Sequence, residues 1–307
     1  MENVESDLLI VTKEEEAKRL DKLLSERYDH KSRTYFQFLI EKGLVLLNGT
    51  KVKKRIIPKS GDEIEVFFAL TPEISLEPQN IPLSILYEDE HMIAVNKPAN
   101  MVVHPAHGNW NGTFVNALLY HCKNLPSSND LRPGIVHRLD KGTTGVLLAA
   151  KTEDAHRNLI AMFSHREIKK RYLAICVSNP PNGRVSLPIG RDSNNRQKMA
   201  VKGDGKEAIS EFTTLATNGL LSLVQADIFT GRTHQIRVHL KYLKAPIFGD
   251  LIYGNTSKTK SFEAERPLLH AQRLELLHPI TKKNLIIEAP QPEDFQKIAF
   301  QIYSTKP

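Results

Sequence analysis

Two polar runs in the 307-residue chain have the residue types for acid–base or nucleophilic chemistry. The first, PGIVHRLDKGTTGVLLAAK over residues 133–151, sets Asp140 between Arg138 and Lys141 in a Gly-punctuated turn that runs straight into the apolar stretch Gly145 to Ala150. A turn at the end of a rigid strand holds a carboxylate at a fixed place, and neighbouring cations keep it ionised. Such a carboxylate can also do no more than cap its own backbone, and the turn by itself leaves both readings open. The second run, GRTHQIRVHLKYL over 231–243, predicts a helix that starts at Gly231 and Thr233 and buries Ile236, Leu240 and Leu243. It carries Arg237 and Lys241 four residues apart on a neighbouring face. A guanidinium on this helix could pair with the Asp140 carboxylate and lower its pKa.

Other chemistries lack their residues. There is no GxxxxGK[ST] loop and no GxGxxG fingerprint, so nucleotide hydrolysis and dinucleotide redox chemistry have no phosphate cradle. No carboxylate or thiolate completes a ligand spacing with His104, His107 and His121, which read as structural or nucleic-acid-contacting groups. HRLD at 137–140 differs in order from the kinase HRD and has no DFG behind it. Cys122 and Cys176 form no CxxC pair, which excludes a disulfide framework or a thiolate zinc site and suits small buried side chains.

These runs need elements to position them. Residues 18–66 read as a compact module of two helices and a small sheet: Leu20, Leu23, Leu24 and Arg27 stand at helical spacing, and a second helix begins near Thr34 with Gln37 as its capping-box partner. Gly43 stops that helix, and Asn48-Gly49 between two apolar runs has the chemistry of a tight hairpin. ALTPEISLEPQNIP at 69–82 carries Pro72, Pro78 and Pro82 without a helical period, which marks an extended linker. The larger remainder mixes strand-like runs (GVLLAA, RYLAICV, SLVQADIF, NLIIEA) with few helices. One of these, TEDAHRNLIAMF, places Ala155, Leu159, Met162 and Phe163 on one face behind a Thr152 cap. The pattern predicts an α+β protein: a mixed, mainly antiparallel sheet domain over 83–307, a small α/β module over 1–70, and a linker over 71–82.

Charge shows where a polyanion would be met. The chain has 42 Lys and Arg against 35 Asp and Glu, a net +7 and a pI near 9.2. Residues 130–207 hold 15 cations against 8 anions, a local surplus equal to the whole net charge. The N-terminal 70 residues balance at 13 each, yet Lys51, Lys53, Lys54, Arg55 and Lys59 form a run free of acids. The leading MENVESDLLIV is acidic, and no apolar run approaches the ~20 residues that span a bilayer, so a soluble, cytoplasmic protein with no membrane partner is expected.

RLDKLLSER, SRTYFQFLIEKGLVLLNG and SGDEIEV, in that order, resemble the RNA-binding domain named after ribosomal protein S4. That resemblance implies an RNA-facing side bearing Ser32, Arg33, Gln37, Lys51, Lys53, Lys54 and Arg55. HRLDKGTTG, KKRYLAI, GRTHQIRVH, GDLIYG and RPLLHAQRL resemble the pseudouridine synthases of the RluA family. With the S4-like module, the match is to the RluD type within it, which acts on large-subunit ribosomal RNA. The two resemblances together span about residues 18–300.

The family reaction breaks the N1–C1′ bond of a uridine in RNA, rotates the base and rejoins it through C5, with no cofactor and no metal. The resemblance implies that Asp140 is the catalytic carboxylate, either adding covalently or abstracting the 2′ proton. It implies further that Tyr172 stacks on the flipped uracil and serves proton transfer at C5, and that Arg237 pairs with Asp140. Leu269 would support the base from its other side, and Arg138 would fill the gap left in the RNA stack. His137, Lys141 and Arg232 would be further substrate contacts. The expected partner is rRNA, free or within a pre-ribosomal large subunit, met by a monomer. Two positions depart from the family: Asn100 stands where Gly is usual, in a place that suits left-handed backbone, and Gly142 stands where Asp is common.

Overall fold

A computed structural model describes residues 5–28, 33–53, 55–68, 76–105, 111–126, 132–193, 195, 198–254 and 264–304. The chain divides into two compact units, Met1–Ser75 and Leu76–Pro307. Ser32 and Lys54, and His107 in the larger unit, lie outside the described residues.

The smaller unit runs β1 (Glu5–Ile10), α1 (Leu20–Arg27), α2 (Arg33–Glu41), β2 (Val45–Leu47), β3 (Thr50–Lys51) and β4 (Glu63–Phe68), with sheet order β1-β4-β2-β3. Its core forms where Leu20, Leu23 and Leu24 of α1 meet Phe36, Leu39 and Ile40 of α2 over Val45, Ile64 and Val66 of the sheet. Gly43, at φ +69, ends α2 in a left-handed residue, and its follower Leu44 donates back to Leu39 O. Asn48 (φ 50) and Gly49 (φ 73) make the β2–β3 turn with both central residues at positive φ, the conformation that an Asn-Gly pair favours in a two-residue hairpin. Two features differ from the sequence expectation. The acidic leader supplies an edge strand, β1, paired antiparallel to β4. The Gln37 side chain, rather than closing a capping box, donates to Asp21 Oδ2 at 2.6 Å, because the buried Asp21 carboxylate is the stronger acceptor.

The larger unit contains β5 (Ile85–Glu88), β6 (Met92–Lys97), α3 (Phe114–His121), β7 (Thr144–Ala150), α4 (Glu153–Ser164), β8 (Lys169–Val177), β9 (Gly183–Ser186), β10 (Ile189–Arg191), β11 (Met199–Val201), β12 (Ile209–Thr217), β13 (Leu221–Ile228), α5 (Gln235–Tyr242), β14 (Leu269–Leu277), β15 (Asn284–Glu288) and α6 (Glu293–Ser304). Nine of these strands form one sheet in the order β5-β6-β7-β14-β8-β13-β12-β9, with β15 on β14. The β7–β14 pairing is parallel and the other pairings in this sheet are antiparallel. The α+β class and the mainly antiparallel sheet are those read from the sequence. Residues 76–83, part of which was expected to be linker, hold to this unit: Gln79 N donates to Asn116 O, Asn116 Nδ2 to Glu77 O, and Ile81 and Leu83 pack on the core. The prolines remove a helical period there but leave apolar side chains that anchor an extended chain.

β7 reads as an unbroken apolar run because it is covered on both faces. Leu147 and Ala149 face one cluster with Tyr172 and Leu269, while Val146, Leu148 and Ala150 face another with Leu159 and Met162 of α4. Gly145 sits at φ +109, and a Cβ there would come within 2.2 Å of Ala271 O, so the close approach of β7 to β14 requires glycine.

Candidate active site

Asp140 lies in the turn that delivers the chain into β7, closed by Thr143 N donating to Asp140 O at 3.0 Å. Two cations fix this turn from the protein side. Lys97, at the end of β6, is fully buried and donates to Pro98 O (2.8 Å), Met101 O (3.0 Å) and Lys141 O (3.3 Å). Its ammonium has carbonyls and no directly bonded carboxylate; burial pulls its pKa down to about 7, a fall that the nearby charge of Asp140 opposes. Arg266 donates to Gly142 O at 3.1 Å while its other nitrogens hold Asp294 of α6 at 2.6 and 2.8 Å. A Cβ on Gly142 would meet Pro267 Cδ at 2.9 Å, so glycine suits a loop seated on that ring. Asn100 adopts φ 64, the left-handed conformation expected for it from the sequence.

Arg237 reaches the turn from α5. Its Nη1 donates to Asp140 Oδ2 at 3.0 Å, and its Nε and Nη2 grip Asp250 at 2.7 and 2.9 Å. Both Arg237 and Asp250 are buried. Burial works against the guanidinium charge, but the hydrogen bonds and charges of Asp250 and Asp140 more than offset it, and the Arg237 pKa stands above its ordinary value. Asp250 Oδ1 also accepts from Ile252 N and Tyr253 N, so the acid that aims Arg237 is itself fixed. The Tyr253 ring lies 5.0 Å from the Arg237 guanidinium and 5.7 Å from Lys241 Nζ, which places the two cations of the helix on one aromatic ring.

The helix begins later than Gly231 and Thr233 predict. Its N-cap is His234, held left-handed at φ 58 with no side-chain cap, and the chain leading into it is tied by Gln235, whose Oε1 accepts from Arg232 N (3.0 Å) and from the Thr230 hydroxyl (2.8 Å). This turn aims His234 at the carboxylate: its Nε2 is 3.8 Å from Asp140 Oδ2 and its Nδ1 is 2.8 Å from the Tyr253 hydroxyl. Met199 N donates to that hydroxyl at 2.7 Å, so Tyr253 ties the His234 ring to the β11 strand. Burial lowers the His234 pKa against the opposing pull of Asp140, which keeps the ring neutral.

Asp140, Tyr172, Arg237, Leu269, Arg138 and Arg232 line one cleft together with Ile228 and His234. Tyr172 and Leu269 come from adjacent strands, β8 and β14, and are 7% and 4% exposed. Burial, with Asp140 adding to it, pushes the Tyr172 phenol well above its usual range, so its hydroxyl is neutral in the cleft that holds the carboxylate. Arg138 is exposed at the rim, and Arg232 is tied by Nε to Glu207 O at 2.9 Å. His137 and Lys141 fall outside the cleft lining. The His137 ring stacks on Phe163 (4.7 Å) and its Nε2 accepts from Leu148 N at 2.9 Å, while Lys141 is exposed. In the smaller unit Lys51, Lys53 and Arg55 are exposed, whereas Arg33 and Gln37 are bonded to Asp21.

Among the described residues one cluster could offer metal donors: Glu88, His121 and Cys122 have ligand atoms within 4.8 Å of one another. The fold, not sequence spacing, brings them together. Glu88 is already engaged by Lys151 (2.7 Å) and His121 (2.9 Å), and burial raises the Cys122 pKa and keeps the thiol protonated. No helix among the described residues is long and apolar enough to cross a membrane.

The family model described as RNA pseudouridylate synthase matches residues 91–242, and the S4 domain matches residues 18–64. The chain is 42% identical to the ribosomal large subunit pseudouridine synthase D of Zymomonas mobilis, over 91% of this chain and 92% of that one. It is 38% identical to the chloroplastic RNA pseudouridine synthase 2 of Arabidopsis thaliana, over 91% of this chain and 79% of the relative. The solved structure of human RNA pseudouridylate synthase domain containing 1 aligns with a TM-score of 0.56 at 25% identity, covering 76% of this chain and 97% of that one.

Proposed function

The chain belongs to the RNA pseudouridylate synthase family and carries an S4 domain, and on that footing we propose that it isomerises uridine to pseudouridine in large-subunit ribosomal RNA with Asp140 as its catalytic carboxylate. The observation that carries the reading is the Arg237 bridge: a buried guanidinium anchored bidentately on Asp250 donates its remaining arm to Asp140 at the floor of the cleft. Paired in this way the carboxylate is an anion of fixed aim. It attacks the target nucleotide or removes its 2′ proton, and either path breaks the N1–C1′ bond. The base then turns and bonds C1′ through C5, N1 takes up a proton and C5 loses one.

Tyr172 and Leu269 suit the two faces of a planar base, and the neutral Tyr172 hydroxyl suits proton transfer near C5. A uridine must leave its stack to enter the cleft, at a cost of a few kcal/mol, and exposed Arg138 at the rim suits the vacated place. The reaction needs no cofactor. The smaller unit adds grip on structured RNA, with Ser32, Arg33, Gln37, Lys51, Lys53, Lys54 and Arg55 as its proposed contacts. The protein works as a cytoplasmic monomer, on free rRNA or on an assembling large subunit.

The test is Asp140→Asn assayed by tritium release from C5-labelled uridine in rRNA. Release should vanish while RNA binding persists. Wild-type protein inert on every rRNA and tRNA would sink the enzymatic reading. A pseudouridine map of a deletion strain that lost only tRNA sites would overturn the choice of rRNA.

A further inference from the structure

Beside the cleft, and sharing Ile228 with it, a second groove opens at the start of β8. Most of its cations are already matched. Arg166 pairs with Glu207, Arg171 with Asp227 at 2.9 Å, Lys169 with Glu275 at 3.4 Å, and Arg273 with Glu275 and Glu288. Lys170 differs from these. It is only 8% exposed, and among the described residues its ammonium meets neither a carboxylate nor a carbonyl, only the Phe163 ring at 5.9 Å. Its charged neighbour Arg166 repels it, and burial and that repulsion both lower its pKa. The stem of Lys170 is buried while its ammonium still reaches the groove, so an unpaired positive charge is presented there. An anion entering the groove finds that charge without a competing carboxylate.

The position of Lys170 says which anion. Lys170 and Tyr172 stand two apart on β8, opposite Ile228 and Ala226 of β13, so their side chains leave the same face of the strand. Two strand residues span about 6.7 Å, a length comparable to one nucleotide step of an unstacked RNA strand. From this geometry we propose that Lys170 binds a backbone phosphate of the RNA strand flanking the target uridine, in a groove that continues the catalytic cleft past Ile228. The subsite rests on the RNA-modifying reading of the cleft and adds a path for the strand. Arg166, set at φ 64 and reached through the exposed Glu207 pair, can swing to the same phosphate.

The experiment uses the full chain with an in vitro transcript of large-subunit rRNA as the probe. For Lys170→Gln the salt dependence of binding, log K against log salt, should flatten by about 0.7, the share of one single-strand phosphate. KM should rise roughly tenfold with kcat at saturating RNA within about twofold, and Lys170→Arg should restore the wild-type slope. An unchanged slope and KM in Lys170→Gln overturn the proposal. Should Lys170→Gln fail to fold, wild-type protein treated with an amine-acylating reagent decides the matter: RNA should protect Lys170 from acylation, and equal labelling with and without RNA overturns the subsite. If wild-type protein converts no uridine in the transcript yet Lys170 is protected, the rRNA reading falls and the phosphate subsite stands.

Discussion

Arg237 holds Asp250 with two hydrogen bonds and Asp140 with one, so the buried acid sets the direction and the partly exposed one receives it. Replacing Arg237 by Lys keeps the charge but cannot bond both carboxylates at once. Tritium release should fall roughly 10²–10³-fold, the scale of losing one preorganised charged donor. Asp250→Asn keeps one acceptor and should cost about tenfold. Thermal melts of both variants separate lost aim from lost fold.

Tyr172 presents a ring and a hydroxyl that can be separated. Tyr172→Phe retains the ring at the cleft and removes only the neutral hydroxyl. If that hydroxyl moves the C5 proton, kcat should drop by roughly 10²–10⁴ with RNA affinity within about threefold, as for a lost general acid–base group. Single-turnover tritium release against filter binding gives the two numbers.

Two histidines make the larger unit sensitive to acid. Burial lowers His104 to about 4 and His137 to about 3, with nearby cations adding to both. Both folded values lie below the unfolded 6.5, so the unfolded chain binds more protons in between. Their stabilisation is complete above pH 6.5 and is lost as pH falls below it. Urea midpoints between pH 6.5 and 5 should show a loss of up to about 2 kcal/mol per histidine. His137→Gln, which still offers Leu148 N an acceptor, should show a shallower slope.

Lys97 tilts the alkaline side in the opposite sense from an ordinary paired lysine. Its folded pKa, about 7, lies below the unfolded 10.5, so the unfolded chain binds the extra proton between those values and stability rises with pH across them. Wild-type stability minus that of Lys97→Met should therefore grow from pH 7 to pH 9.5, and a flat difference would contradict a buried, unpaired ammonium.

In the smaller unit Asp21 is fully buried and accepts from Arg19, Arg33 and Gln37. Asp21→Asn removes the charge from those hydrogen bonds and should destabilise this unit by about 1.5–3 kcal/mol. It should also release Arg33 and Gln37, and differential scanning calorimetry with RNA titration at two salt concentrations would read both effects.

Residues that advertise themselves locally were legible in the sequence. Asp140 sits in a polar turn ahead of an apolar strand, and Arg237 projects from a helix with a clear buried stripe, so both carried a chemical signal and a period. The groups that fix them were not readable in this way. Asp250, Tyr253 and Lys97 carry no chemical signal in their own runs, and His234 sits in the helical run but off its stripe, so their roles depend on contacts that only the fold creates. The GDLIYG run stood out as a motif, yet a glycine-flanked acid alone names no partner. The late start of α5 was hidden because it depends on a left-handed residue at His234 and on Gln235 tying back Thr230 and Arg232, neither of which residue type announces. Strand β1 was hidden because an edge strand alternates weakly and its acids read as a leader.

The clamp from Gly142 O through Arg266 to Asp294 runs from the Asp140 turn to helix α6. A ribosome making this chain releases Asp140 and Arg237 well before Asp294. Until α6 has emerged and docked, the turn lacks one of its two fastenings, and the nascent chain carries its acid in a loose setting. With Asp140 as the proposed catalytic acid, activity should appear only late in translation, and a ribosome stalled before α6 should display a chain with little capacity to modify RNA.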